Sequence, residues 1–157
     1  MSAPDTIQRK TTHGTFTVKR TYDASSARVF QAFADKEAKA KWFSGPQGVE
    51  EAGSKFDFRV DGQEIVFGRH ANDIRTAFYA VYQDIVPDER IIYTYRMTLN
   101  GTPISASLAT IEFTPCSDGT QVSWTEYGVY LDGFDNPAVR EEGTGWLMDK
   151  IGASLND

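Results

Sequence analysis

From Lys55 to Tyr130, apolar residues fall on every second position between turn signals, and no helical spacing interrupts them. This period dictates short strands joined by tight turns, which is an antiparallel meander. KFDFRV sets Phe56, Phe58 and Val60 on one face, and Asp61-Gly62 follows as a two-residue hairpin turn. QEIVFGRH comes next, then a turn at Ala71-Asn72-Asp73, a strand over about Thr76 to Val86, and a turn at Pro87-Asp88. IIYTYRM puts Ile91, Tyr93, Tyr95 and Met97 on one side and Ile92, Thr94 and Arg96 on the other. Asn100-Gly101 signals another hairpin, SASLATIEF a sixth strand, Ser117-Asp118-Gly119 a turn, and TQVSWTEYGVY a seventh strand.

Residues 1–14 are polar and aperiodic and are expected to form a flexible tail, leaving residues 15–157 as a single domain. TFTVKRTY, residues 15–22, alternates as a first strand. Ser25 or Ser26 can cap a short helix carrying Val29, Phe30 and Phe33, and Asp35 a second one ending at Trp42-Phe43. SGPQGVEEAG then reads as a loop. At the far end, Asn136 is an N-cap followed by Pro137 at the first helical position. Val139, Gly143, Leu147, Ile151 and Leu155 recur every four residues beside Trp146 and Met148, as a broad apolar face. The helix is expected to use its three glycines, Gly143, Gly145 and Gly152, for close packing.

A six-strand meander bares one apolar face, and only the last helix is long enough to cover it. The expected architecture is therefore α+β: a curved seven-stranded antiparallel sheet, two short helices after strand one, and a long C-terminal helix packed across the sheet. A sheet wrapped on one helix is difficult to fill, so an internal hollow is expected beside that helix.

Four stretches carry a resemblance over about Thr15 to Leu155: RTYDASSARVFQAFADKEAKAKWF, GSKFDFRV, YQDIVPDERIIYTY, and DGTQVSW with GWLMDKI. Together they resemble the activator of heat-shock-protein ATPase homologue-like (AHSA-like) group of the START and birch-pollen-allergen superfamily, also called SRPBCC. Ser25 stands where that group usually has proline, and Lys39 where it commonly has an apolar helix residue. The resemblance implies the helix-grip fold and a pocket for hydrophobic small molecules, in a superfamily that mixes binders, cyclases and chaperone cofactors. The ATPase activators usually carry a further domain, which is not expected here, and no chaperone partner is expected.

Charge and composition narrow the partners. The formal net charge is -6 and the Lys and Arg residues are scattered, so nucleic acid is not an expected partner. No apolar run approaches a membrane span, and MSAPDTIQRK has no apolar stretch behind its charges, so a cytoplasmic protein without a signal peptide is expected. Cys116 is alone and reads as a bystander thiol in a turn. His13 and His70 make no metal motif, and there is no nucleophile elbow or phosphate loop, so neither metal nor cofactor is expected. A homodimer is compatible with the chain.

The site is expected among the inner-face rings and their neighbours: Trp42, Phe43, Phe58, Tyr93, Tyr95, Met97, Trp124, Glu126, Trp146, Leu147 and Ile151. One tryptophan comes from each of three wall elements, and the two tyrosines offer phenol hydrogen bonds. Counting by twos from Val122 turns Glu126 inward, where burial would raise its pKa and fit it for proton transfer. The plainer alternative gives Glu126 to water or to Arg69 near a strand end. Arg59 and Glu64 read as solvated surface. The leading expectation is a carrier or sensor of a small hydrophobic or aromatic molecule, a binder rather than a catalyst. The alternatives are a pocket acid/base enzyme of cyclase or dehydratase type, and a chaperone-linked interaction module.

Overall fold

The computed structural model describes residues 8–43 and 50–156. Seven strands form one antiparallel sheet in the order β1-β7-β6-β5-β4-β3-β2, so sequential hairpins run from β2 to β7 and β1 closes the β7 edge. The strands are β1 Thr11–Tyr22, β2 Glu50–Phe56, β3 Gln63–Arg69, β4 Arg75–Val86, β5 Arg90–Leu99, β6 Thr102–Cys116 and β7 Gly119–Leu131. Two short helices, α1 Ser26–Ala34 and α2 Lys36–Ala40, follow β1, and α3 Pro137–Ser154 follows β7. This is the helix-grip arrangement.

Local chemistry sets the boundaries. The Ser25 side chain accepts from the Arg28 N–H, Asp35 from Ala38, and Asn136 from Val139, so each helix begins at a side-chain cap. Asn100 and Gly101 both have positive φ, as a tight hairpin turn of this hand requires.

Several expected boundaries move. β1 begins at Thr11, so residues 11–14 are strand rather than tail, paired with Leu131 through Gly128. Glu50 to Gly53, expected in a loop, already pair with β3, while residues 44–49 of that loop lie outside the described residues. β2 stops at Phe56, and residues 57–62 form a longer turn in place of the two-residue hairpin. Gly62 belongs there because a Cβ would lie 2.1 Å from the Asp57 carbonyl oxygen. Val60, expected to face inward with Phe56 and Phe58, is exposed.

Helix α3 runs beside β1 in the same direction: Pro137 sits against Gly14, Gly145 against Val18 and Arg20, and Gly152 against the Tyr22 ring. The Tyr22 hydroxyl donates to the Met148 carbonyl at 2.6 Å and ties the two together. The helix buries Thr144, Gly145, Met148, Ile151 and Ser154. Of the expected stripe, Ile151 is fully buried and Leu147 and Leu155 pack against the core, whereas Val139 and Gly143 are turned outward; Val139 is 56% exposed. Close backbone approach explains the difference. Where a helix lies tight against a strand, small residues fit the contact line and bulky apolar ones flank it. Gly145 and Gly152 serve that packing, whereas a Cβ at Gly143 would meet open space.

Candidate functional site

The inner face of the sheet meets α1, α2 and the residues after α2 in a cluster of rings. From the sheet come Tyr82, Ile91, Tyr93, Ile111 and Trp124; from the opposite wall come Phe33, Lys39, Trp42, Phe43 and Phe58. These side chains line a void of about 10 Å³, close to the minimum that holds a single water. The hollow expected beside α3 thus lies beneath the short helices, and interlocking rings almost fill it. Phe33 and Trp42 meet edge to face at 5.0 Å, Phe58 and Tyr82 at 4.9 Å, and Trp42 and Trp124 at 6.4 Å. The Trp42 indole donates to the Ala32 carbonyl at 2.7 Å, which fixes the ring against α1.

Five of the expected ligand residues, Trp42, Phe43, Phe58, Tyr93 and Trp124, therefore share one void. Tyr95 and Met97 lie further along β5, Met97 half-buried against the core. Ile151 is fully buried and Leu147 partly so, both within the packing of α3 on the sheet. Trp146 is a correction. It is 43% exposed and points away from the interior, with the Lys150 ammonium 4.6 Å from its ring centre. Neighbouring Gly145 takes the contact line with β1, and the next residue on the helix is turned outward.

Glu126 is 2% exposed, and both its oxygens are occupied. The Tyr95 hydroxyl donates to Oε1 at 2.6 Å and the Trp124 indole to Oε2 at 3.0 Å. Arg140 in the first turn of α3 donates to the Tyr95 oxygen at 2.7 Å, to Ser105 at 3.0 Å and to Asp135 at 2.6 Å. Burial pushes the Glu126 carboxyl above its ordinary range, against the opposing Tyr95 hydrogen bond and Arg140 charge. The inward reading of Glu126 holds, and the pairing with Arg69 does not occur. This network joins β5, β6, β7 and the start of α3 and orients the Trp124 ring toward the void.

Sequence reasoning missed a second buried carboxylate. Glu64, read as solvated surface, is 4% exposed. It accepts from Lys39 Nζ at 2.5 Å and from the Tyr82 hydroxyl at 2.6 Å. Lys39 Nζ also lies 3.3 Å from the Tyr82 oxygen and over the Phe43 and Phe56 rings, 4.7 and 5.1 Å from their centres. Two signals were available. Period two from the outward Ile65 and Phe67 turns Glu64 inward, and Lys39 occupies a helix position where the resembling group has an apolar residue.

Tyr93 stands between the two carboxylate clusters. Burial, and then the negative charge of Glu126, hold its phenol far above the ordinary range, so it is a neutral donor. Among the described residues, no hydrogen bond contributes to the Tyr93 hydroxyl's electrostatics, and the hydroxyls found buried without a partner are those of Ser107 and Tyr130. Also among them, no three His, Cys, Asp or Glu residues gather as a metal site, and no helix is long and apolar enough to cross a membrane.

Known proteins with this arrangement give its context. A model of the family described as Activator of Hsp90 ATPase homolog 1-like protein matches residues 23–156. A solved protein of Rhizobium loti is 43% identical, with a TM-score of 0.85, and the match covers 92% of this chain and 99% of that one. An uncharacterised protein of Rhizobium leguminosarum is 37% identical, with a TM-score of 0.90 over 95% of this chain and 98% of its own. The AHSA1-like protein of Aeromonas hydrophila shares the fold at 15% identity, with a TM-score of 0.66 over 91% and 92%. No curated protein matches.

Proposed function

The chain belongs to the Activator of Hsp90 ATPase homolog 1-like family, and from that premise we propose that it binds a small hydrophobic or aromatic molecule between the sheet and the short helices. The observation that carries this reading is the ring-lined void between the sheet and the short helices, with the Tyr93 phenol on its sheet wall.

The two walls differ in firmness. Tyr82, Ile91, Tyr93, Ile111 and Trp124 sit on central strands held by ladders on both sides. Phe43 follows a five-residue helix and Phe58 lies in a turn, and both are only half-buried. A ligand of ring size does not fit the void as it stands, so it enters by displacing Phe43 and Phe58 rather than the sheet. That displacement lowers the apparent affinity by the fraction of molecules in the open form, about tenfold for each 1.4 kcal/mol of opening. The ligand recovers apolar burial at about 25 cal/mol per Å². Glu126, with both oxygens engaged, holds the wall in shape in this reading and carries out no reaction.

The test is a titration with naphthalene, followed by the methyl NMR signals of labelled isoleucines. Saturable shifts at Ile91 and Ile111, with exposed Ile74 unmoved, support the proposal. Absence of a saturable shift at Ile91 and Ile111, or equal movement at Ile74, overturns it.

A further inference from the structure

We infer that the ligand is an uncharged aromatic molecule bearing a hydrogen-bond acceptor, such as a ketone oxygen, received by Lys39 Nζ and the Tyr93 hydroxyl. The inference rests on the cavity reading above and adds the chemical class of the occupant.

Lys39 and Tyr93 border the same void. An ammonium carries three N–H donors. One goes to Glu64 and a second points to the Tyr82 oxygen at a long 3.3 Å. The rest of the ammonium faces the rings of Trp42, Phe43 and Phe56. The void is thus bordered by an ammonium with donor capacity turned toward rings and, on the opposite wall, by a phenol, and both suit one acceptor atom on a flat apolar body.

Charge is selected against for a separate reason. Lys39 and Glu64 cancel each other, with side chains 12% and 5% exposed. A carboxylate entering the void would have to compete with Glu64 for the ammonium, leaving one of two buried anions unpaired. Glu126 adds a further negative group behind the Tyr93 wall, and burial already disfavours charge there. A cationic ligand would in turn meet the Lys39 ammonium at the same void. Neutral acceptors avoid both penalties.

Three probes of one shape separate the possibilities: naphthalene, 2-acetonaphthone and 2-naphthoate, titrated by isoleucine methyl NMR. The wild type is expected to bind the ketone at least about tenfold tighter than naphthalene, as a hydrogen bond to a charged donor gives. It should also bind the ketone at least about tenfold tighter than the carboxylate. In Lys39→Met/Glu64→Gln, which removes both charges together, the preference for ketone over naphthalene falls below about threefold. Tyr93→Phe, which keeps the ion pair, lowers the same preference and stands in if the double variant does not fold. A ketone preference unchanged in the variants, or 2-naphthoate as the tightest probe, overturns the inference while leaving the cavity reading intact. Binding by none of the probes removes the cavity reading and this inference with it.

Discussion

Removing the Lys39 ammonium alone leaves the Glu64 carboxylate buried with one hydroxyl donor, Tyr82, and no cation. A surface ion pair contributes at most about 1 kcal/mol, so its loss would scarcely register. Here the side chains are 12% and 5% exposed and the pair closes at 2.5 Å, which puts the site with buried pairs. Breaking such a pair from one side costs about 3–5 kcal/mol, because the remaining charge is uncompensated. For a chain of this length each kcal/mol moves Tm by about 2–4 °C, so Lys39→Met is expected to lower Tm by about 6–20 °C. Glu64→Gln in the same background restores most of the loss, since the amide oxygen still accepts from Tyr82 and no lone charge remains. The double variant should lie within about 1.5 kcal/mol of wild type. Urea unfolding of the wild type, both single variants and the double variant completes the cycle, read by circular dichroism and by fluorescence of buried Trp42 and Trp124. A Lys39→Met loss below about 1 kcal/mol, or a double variant no more stable than that single one, would refute the buried-pair account.

Glu126 gives a pH-dependent counterpart. Its folded pKa lies above its ordinary value, so the native state holds the proton longer, and Glu126 ionisation erodes stability as pH rises from the unfolded to the folded pKa. Glu126→Gln removes that erosion but sets an amide N–H against a Tyr95 or Trp124 donor, a loss of about 1–3 kcal/mol. Unfolding free energies from pH 4 to 8 should therefore show the variant gaining on wild type as pH rises; a constant or widening deficit contradicts the assigned direction. Along α3, Gly143→Ala adds a methyl in open space within a helix and should raise stability by about 1 kcal/mol in thermal unfolding. Gly14→Ala drives a Cβ to 2.2 Å from the Pro137 ring and should lower stability by about 1–3 kcal/mol; equal effects at the two positions would remove the close seating of α3 on β1.

The sheet was legible because its signals are local. Period two and turn chemistry at Asn100-Gly101 and Ser117-Asp118 placed the hairpins, and Ser25, Asp35 and Asn136 placed the helix starts. The face of α3 was legible only in part: the spacing brought Ile151 and Met148 inward, but apolar periodicity marks bulk and does not mark the contact of Gly145 and Gly152 with β1. Glu64 was misread because its partner lies 25 residues away on a five-residue helix, and a charged residue viewed alone is best assigned to solvent. Glu126 was read inward from strand alternation, but its donors Tyr95 and Arg140 come from other elements that only the folded chain brings together. The void was placed beside α3 rather than under α1 and α2, because the rings of Trp42 and Phe43 close over the sheet only once those helices are seated.

The account turns on whether the ring-lined interior opens to admit a guest. A crystal structure of the protein soaked with 2-acetonaphthone tests this directly. The expected result is the naphthyl ring lying on the β5 wall, its ketone oxygen between Lys39 Nζ and the Tyr93 hydroxyl, with Phe43 and Phe58 swung aside and the strands unmoved. A saturated crystal in which those two rings stay closed, and the ketone lies only on the outer surface, would contradict it.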